Sequence, residues 1–245
     1  MITYFIPIYN EEENLENFFS KLLPFINNTK ITDRFIFVDD GSSDKSKDLI
    51  DKFINNLKKE NQKKFSLITN NVNRGVGYSF KRALNKSETK YIFFLPSDND
   101  IEFRDLIKMN KNNKFDLRMM YPINFEKYSK YRYLLSMLFR LIYCFTFDVR
   151  VNYIQSPCLY KVKLLKKIKI RSDRFSIWPE INIKLLRSNI TYCEIPILYQ
   201  NKSVIDRTVS IKNFIEILIN YLILIYEILI KNKNHYNQKA TKKYI

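Results

Sequence analysis

Phe35-Ile36-Phe37-Val38-Asp39-Asp40-Gly41-Ser42-Ser43-Asp44 decides the fold of this chain: a short unbroken apolar run stops on two carboxylates and a polar turn. A strand that is apolar on both faces is one buried on both faces, the habit of parallel sheets. The same pattern recurs in Ile2-Thr3-Tyr4-Phe5-Ile6-Pro7-Ile8, in Phe65-Ser66-Leu67-Ile68-Thr69 and in Tyr91-Ile92-Phe93-Phe94-Leu95. Helical spacing fills the gaps. Acids open a helix at Asn10-Glu11-Glu12-Glu13-Asn14, and Leu15, Phe18, Phe19, Leu22 and Leu23 carry it until Pro24. Leu49, Ile50, Phe53, Ile54 and Leu57 mark a second, and a third runs through Ala83-Leu84. Strands alternating with helices predict an α/β fold, a mostly parallel central sheet with helices on both faces. Such open sheets bind ligands beyond the carboxyl ends of their strands, where these polar clusters lie.

After about residue 115 the pattern is less regular. A helix is predicted near 131–145, a strand at 158–160, a helix near 178–188 and a strand over 192–197. No internal repeat or long flexible linker interrupts the chain. The division expected is a domain over 1–210 and a C-terminal apolar helix with a basic tail over 211–245. Within that tail, Asn213 to Ile230 is strongly apolar but contains Glu216, Asn220 and Glu227, which steps of four and seven place on one narrow helical stripe. Two carboxylates make a membrane span expensive. Two alternatives stay open: docking on a bilayer surface, helped by Lys231, Lys233, Lys239, Lys242 and Lys243, or packing on the domain or another subunit.

Composition narrows the function. Hydrophobic residues at 46% of 245 rule out disorder. A net charge of +17 calls for an anionic partner: nucleic acid, a phosphorylated substrate or acidic headgroups. The basic residues are spread along the chain rather than gathered on one aromatic-rich element, which argues against nucleic acid. Cys144, Cys158 and Cys193 form neither a disulfide framework nor a metal knuckle, so a reducing compartment is expected. The one histidine, His235, sits in a polar tail, so Ser-His-Asp catalysis and His-ligated zinc are excluded. The opening residues lack the pattern of a secretory leader. Only three glycines are present, Gly41, Gly75 and Gly77, where average usage of about 7% would give roughly 17. Glycine retained in so glycine-poor a chain marks positive φ or a close backbone approach, or else an ordinary tight turn.

Asp98-Asn99-Asp100 closes a buried strand with carboxylates one residue apart, the oxygen donors that Mg²⁺ or Mn²⁺ takes alongside substrate phosphates. Asp39-Asp40 ends another strand, so both pairs are expected along one sheet edge. Arg74-Gly75-Val76-Gly77 is half of a dinucleotide fingerprint, but Phe80 stands at the third glycine position and no P-loop occurs.

Ile6-Pro7-Ile8-Tyr9-Asn10-Glu11-Glu12, Val38-Asp39-Asp40-Gly41-Ser42-Ser43-Asp44, Asn73-Arg74-Gly75-Val76-Gly77 and Asp98-x-Asp100 come in an order and spacing that resembles family 2 glycosyltransferases, most of all the dolichyl- and polyprenyl-phosphate sugar synthases. The resemblance is strong over residues 2 to about 105 and looser through Arg132-x-x-x-Ser136, 152–160 and Glu180 to Pro196. It implies the GT-A fold and a sugar moved from a UDP- or GDP-sugar to a membrane polyprenyl phosphate, metal-assisted and inverting. By position it implies that Pro7, Tyr9 and Glu11 line the nucleotide pocket, that Asp39 with Phe37 contacts base and ribose, and that Asp40, Arg74 and Gly75 complete that pocket. Asp98 and Asp100 would hold Mg²⁺ or Mn²⁺ on the diphosphate. Arg132, Lys202 and Arg207 would meet acceptor phosphate. The sequence departs from the family pattern where Pro96-Ser97-Asp98 follows the strand: either Pro96 replaces the first acid, or the pair has slid to Asp98 and Asp100.

An ionised lipid phosphate needs alignment and charge neutralisation rather than a base. A sugar hydroxyl acceptor in surface polysaccharide or lipopolysaccharide synthesis would need a carboxylate, and Glu180 is the candidate; its other reading is a helix acid in an ion pair. Trp178 beside it is either a sugar platform or a core residue. A different class, a catalytically inactive sugar-nucleotide-binding scaffold, is the remaining alternative. A polyprenyl-phosphate acceptor implies an enzyme on the cytoplasmic side, and the apolar, lysine-flanked stretch is expected to hold it peripherally on the membrane through residues 211–245.

Overall fold

The structure is a computed structural model and describes residues 1–27, 29–30, 33–98, 101–111, 114–124, 130–155, 158–198 and 211–244. Among the described residues one sheet contains β1 (Ile2–Ile8), β2 (Arg34–Asp39), β3 (Phe65–Thr69), β4 (Tyr91–Phe94), β5 (Leu117–Pro122), β6 (Cys158–Lys161), β7 (Thr191–Ile197) and β8 (Thr241–Lys242). Its order is β3-β2-β1-β4-β6-β5-β7-β8. Only β6 runs against its neighbours β4 and β5; the other pairings are parallel. The helices are α1 (Glu12–Asn27), α2 (Ser46–Asn56), α3 (Lys59–Gln62), α4 (Val76–Lys86), α5 (Phe103–Lys111), α6 (Lys130–Thr146), α7 (Val162–Leu165), α8 (Ile177–Leu186) and α9 (Ile211–Ile225), the last continued by a π-helical turn, Tyr226–Lys231.

Successive strand residues point to opposite faces, and two cores result. Tyr4 and Ile6 of β1, Phe35 and Phe37 of β2 and Phe93 of β4 pack with Leu15, Phe18 and Leu22 of α1, Ile50 of α2 and Leu106 of α5. Phe5, Ile36, Val38 and Ile92 point the other way, to Phe80 of α4, Tyr143 of α6 and Phe147 just beyond it, Trp178 and Ile181 of α8 and Leu224 of α9. The helices therefore cover both faces.

One expectation is corrected and one open alternative is decided. Helix α1 does not stop at Pro24 but runs through it to Asn27. Pro24 and Ser20 both lie on the exposed side, so water can solvate the carbonyl that proline leaves without a partner. The C-terminal stretch packs on the domain, one of the two alternatives left open by the sequence. Leu224, Ile228 and Tyr236 join the core of α4, α6 and α8, and β8 adds to the sheet beside β7. The polar stripe faces inward: Glu216 meets Arg174 at 3.6 Å, and Glu227 is buried against Lys184 and Arg171, each at 3.0 Å. The π-helical turn brings both Glu227 and Ile228 to the buried side.

Two carboxylates outside the site link stability to acid. Asp116 accepts from Lys161 Nζ, the Thr191 amide (2.8 Å) and the Thr191 hydroxyl (3.0 Å). Burial works against ionisation of Asp116, but these bonds outweigh it and hold the carboxyl below its ordinary value. At Asp44, burial again opposes ionisation, and bonds from Ser46 and the Glu12 amide again win. A depressed carboxyl stabilises the fold above its unfolded value near 3.8 and stops doing so as pH falls through the folded one. The thermal midpoint is therefore expected to be level from neutrality to about pH 5 and to fall below about pH 4, less steeply in Asp116→Asn. A midpoint unchanged down to pH 3, followed by circular dichroism, would contradict this.

Candidate active site

Strands β1, β2, β3 and β4 are parallel, so Ile8, Asp39, Thr69 and Phe94 all end at one edge, with Asp39 in register with Ile8 and Thr69. Asp98 lies four residues beyond Phe94 and is exposed. Only β1 separates β2 from β4, a lateral spacing of roughly 10 Å, two strand intervals. Asp39 therefore ends β2 at the edge where the chain leaves β4 towards Asp98.

The loops after β1 and β2 are laced together. The amides of Asn10, Glu11 and Glu12 donate to Ser42 Oγ (3.0 Å), Ser46 Oγ (2.9 Å) and Asp44 Oδ2 (3.0 Å). In return, the amides of Ser43 and Lys45 donate to Asn10 Oδ1 (2.9 Å) and Glu12 Oε2 (3.1 Å). Asn10 adopts φ +52°, a region that asparagine tolerates. Each loop thus caps the other, and Tyr9 is left exposed beside half-buried Pro7 and Glu11. Asp39 is buried; its Oδ1 accepts the Ser42 amide at 3.1 Å, and among the described residues its Oδ2 takes no hydrogen bond.

Asp40 points into the protein. Its Oδ1 accepts from Asn70 Nδ2 (2.6 Å) and the Arg74 amide (3.1 Å), and its Oδ2 accepts from the Gly75 amide (2.7 Å). With both oxygens engaged, Asp40 positions the Arg74-Gly75 loop rather than touching a nucleotide. That loop lies against a second segment: the Tyr78 amide donates to the Asp173 carbonyl at 2.9 Å, and Lys81 Nζ pairs with Asp173 at 2.6 Å. The glycine signal is explained here. Gly75 has φ +97°, and a Cβ on it would lie 2.5 Å from the Asp173 carbonyl oxygen; on Gly77 it would lie 2.6 Å from that of Ser172. What approaches these glycines is the protein's own backbone. Gly75→Ala is expected to cost about 2 kcal/mol in urea unfolding, because a Cβ there meets both strain and a backbone clash. A loss under about 0.5 kcal/mol would show the 172–174 segment to be yielding.

Burial decides three readings, two of which, Glu180 and Trp178, the sequence had left open. Phe37 is fully buried on the α1 side, edge-on to Phe19 at 6.1 Å and stacked on Phe65 at 6.0 Å, so it cannot reach base or ribose. Glu180 is buried with its carboxylate engaged: the amides of Arg171 (2.9 Å) and Ser172 (2.8 Å) and Lys184 Nζ (2.7 Å) all donate to it. It anchors the segment that packs on Gly75 and is not available as a base. Trp178 is a core residue, 4.6 Å from Phe94 and 5.2 Å from Phe80 by ring centroids.

Arg74 is exposed, with its guanidinium 3.8 Å above the Tyr78 ring. Arg132 lies on α6, and its side chain is outside the described residues, as are Asp100, Lys202 and Arg207. Spacing did not reveal Asn70 and Ser79, which bridge to Asp40, or Lys184 at the centre of the buried network. The Glu180/Lys184 spacing of four on a helix was the one available signal.

The family model for Glycosyl transferase family 2 matches residues 3–169, and the chain belongs to that family. Among curated relatives, it is 29% identical over 125 residues to a dolichyl-phosphate beta-glucosyltransferase of Dictyostelium discoideum, a match covering 47% of this chain and 37% of that protein. It is 52% identical over 52 residues to an uncharacterized glycosyltransferase of Synechocystis sp., covering 21% of this chain and 16% of that one. These matches thus span well under half of each relative. Among solved structures, S. aureus TarS 1–349 in complex with UDP superposes with TM-score 0.62 at 18% identity, over 96% of this chain and 68% of that one. Glucosyl-3-phosphoglycerate synthase from Mycobacterium tuberculosis, in complex with Mn²⁺, UDP and glucosyl-3-phosphoglycerate, gives TM-score 0.62 at 13% identity, over 92% and 80%. The fold is the GT-A fold of these glycosyltransferases.

Proposed function

We propose that the chain transfers a hexose or hexosamine, with inversion, from a UDP- or GDP-sugar to a membrane polyprenyl phosphate on the cytoplasmic side, held peripherally through residues 211–245. One observation carries this reading: Asp39 closes β2 at the edge where the chain leaves β4 towards Asp98, with β1 between them, so a nucleotide at Asp39 extends its diphosphate towards Asp98. The donor set fits a hard divalent cation. It offers carboxylate oxygen, and among the described residues no three Asp, Glu, His or Cys groups form a complete protein cage. An incomplete shell finished by phosphate oxygens is the habit of Mg²⁺ and Mn²⁺. Asp98 and Asp100 would hold the ion, which when bound supplies charge neutralisation to the departing diphosphate.

The remaining work belongs to the chain. The laced 9–12 and 42–46 loops fix Asp39 and Tyr9 before the donor arrives, and the Asp40 clamp fixes the Arg74 amide, so little ordering cost falls on binding. The engaged carboxylate of Glu180 favours an acceptor that needs no base, which a phosphate is. The Dictyostelium relative's name, a dolichyl-phosphate glucosyltransferase, supports the same acceptor class. The test is transfer of radiolabelled sugar from a panel of UDP- and GDP-sugars to extracted polyprenyl phosphate, with Mg²⁺ or Mn²⁺. A labelled lipid is the expected product. Label in soluble glycan alone would move the assignment to a hydroxyl acceptor, and no transfer alongside nucleotide binding would leave a binding scaffold.

A further inference from the structure

We propose that the outward faces of α6 and α9 together form a plate that docks on an anionic lipid bilayer. Helix α9 is inverted relative to an ordinary surface helix: its polar stripe faces the domain, and Ile215, Leu218, Ile219, Leu222, Tyr226 and Ile230 face outward, Ile230 with 66% exposure. Helix α6 presents a second stripe, Leu134, Leu138, Leu141, Ile142 and Phe145, the last 92% exposed. The helices touch, with Tyr143 and Tyr221 ring centroids 4.9 Å apart and Thr146 Oγ1 2.5 Å from the Tyr221 hydroxyl, so the stripes adjoin. So much apolar surface on neighbouring helices exceeds what a monomer in water ordinarily exposes.

Charge decides the occupant. Helix α6 contains no Asp or Glu, and the two acids of α9 and its π-helical turn are turned away, Glu216 to Arg174 and Glu227 to Lys184 and Arg171. The charges left exposed at the ends of these helices are mainly cations, Lys130, Lys231 and Lys233; Asp148, just past α6, is exposed but paired with Lys239. An apolar face whose rim carries an excess of cations fits acyl chains beneath anionic headgroups. A second copy of the chain would bring the same excess of cations, its Asp148 already paired with its own Lys239. Among the described residues no helix is long and apolar enough to cross a membrane, so the contact lies on the surface. The plate also adjoins the candidate active site, because Arg174, the partner of Glu216, packs its side chain 2.8 Å from where a Gly75 Cβ would sit. Docking would therefore set the cleft at the level of the headgroups. This deepens the lipid-acceptor reading and rests on it for its purpose, although the surface can be tested alone.

The test is flotation of the purified full chain with vesicles of phosphatidylcholine, with and without about one third phosphatidylglycerol, in the absence of sugar nucleotide and acceptor. Partitioning into the anionic vesicles is expected to be at least about tenfold stronger, since each engaged lysine contributes about fivefold. L138E/L222E should lower it by about tenfold or more while the thermal midpoint stays unchanged, because both side chains are exposed. K231E/K233E should abolish the preference for the anionic vesicles. The proposal is overturned if neither vesicle binds the protein, or if L138E/L222E binds as the parent does. It is equally overturned if the protein is a stable dimer that L138E/L222E dissociates and that ignores vesicles. Flotation without any binding of UDP or GDP would leave the docking intact and remove the donor reading instead.

Discussion

Lys184→Met is expected to destabilise the fold by about 3–5 kcal/mol, the penalty for removing one partner from a buried ion network. Lys184 is fully buried and spends its three ammonium hydrogens on Glu180 (2.7 Å), Glu227 (3.0 Å) and the Lys169 carbonyl (2.6 Å). Methionine fills the volume but leaves two buried carboxylates with one fewer cation between them. For a chain of this size the loss corresponds to a fall of about 10 °C or more in thermal midpoint. Adding Glu227→Gln should recover part of it, because the uncompensated charge is what costs most. A loss below about 1 kcal/mol would mean that water reaches the network and that Glu180 is not locked as described. The consequence reaches the candidate active site, since Glu180 holds the Arg171 and Ser172 amides and the next residues press on Gly75 and Gly77.

Asp98→Asn is expected to lower sugar transfer by about a thousandfold with the thermal midpoint unchanged. Asp98 is exposed, so the fold does not depend on burying it, whereas under the proposed reading it would hold the cation that neutralises charge developing on the departing diphosphate in the transition state. The loss should appear in kcat more than in the apparent affinity for the donor. Retention of activity within about tenfold would move the metal role away from Asp98.

Much of the fold was legible because strands buried on both faces read as continuous apolar runs, and β1 to β4 were bounded to within a residue. The shared edge of Asp39 and Asp98 followed from topology alone, as parallel strands put their carboxyl ends together. Direction and depth were not legible. A stripe of Glu216, Asn220 and Glu227 identifies one side of a helix but not whether that side meets water or the domain, and here Arg174 and Lys184 draw it inward. Phe37 and Asp40 stand two residues and one residue from the strand's decisive aspartate, yet Phe37, on the same face as Asp39, lies two residues further into the strand and is packed under α1, and the turn sends Asp40 to the Gly75 loop. Pro24 marks a helix end only where its missing hydrogen bond cannot be supplied by water.

The central claim is that carboxylates from neighbouring strand ends receive a sugar nucleotide's base-side groups and diphosphate at one edge of the sheet. Isothermal titration of UDP and of GDP into the purified chain, with Mn²⁺ and then with chelator, measures it most directly. One of the two nucleotides should bind with Mn²⁺, more weakly by tenfold or more under chelator, and not measurably in Asp39→Ala. Binding of equal strength with chelator, or in Asp39→Ala, would contradict the account.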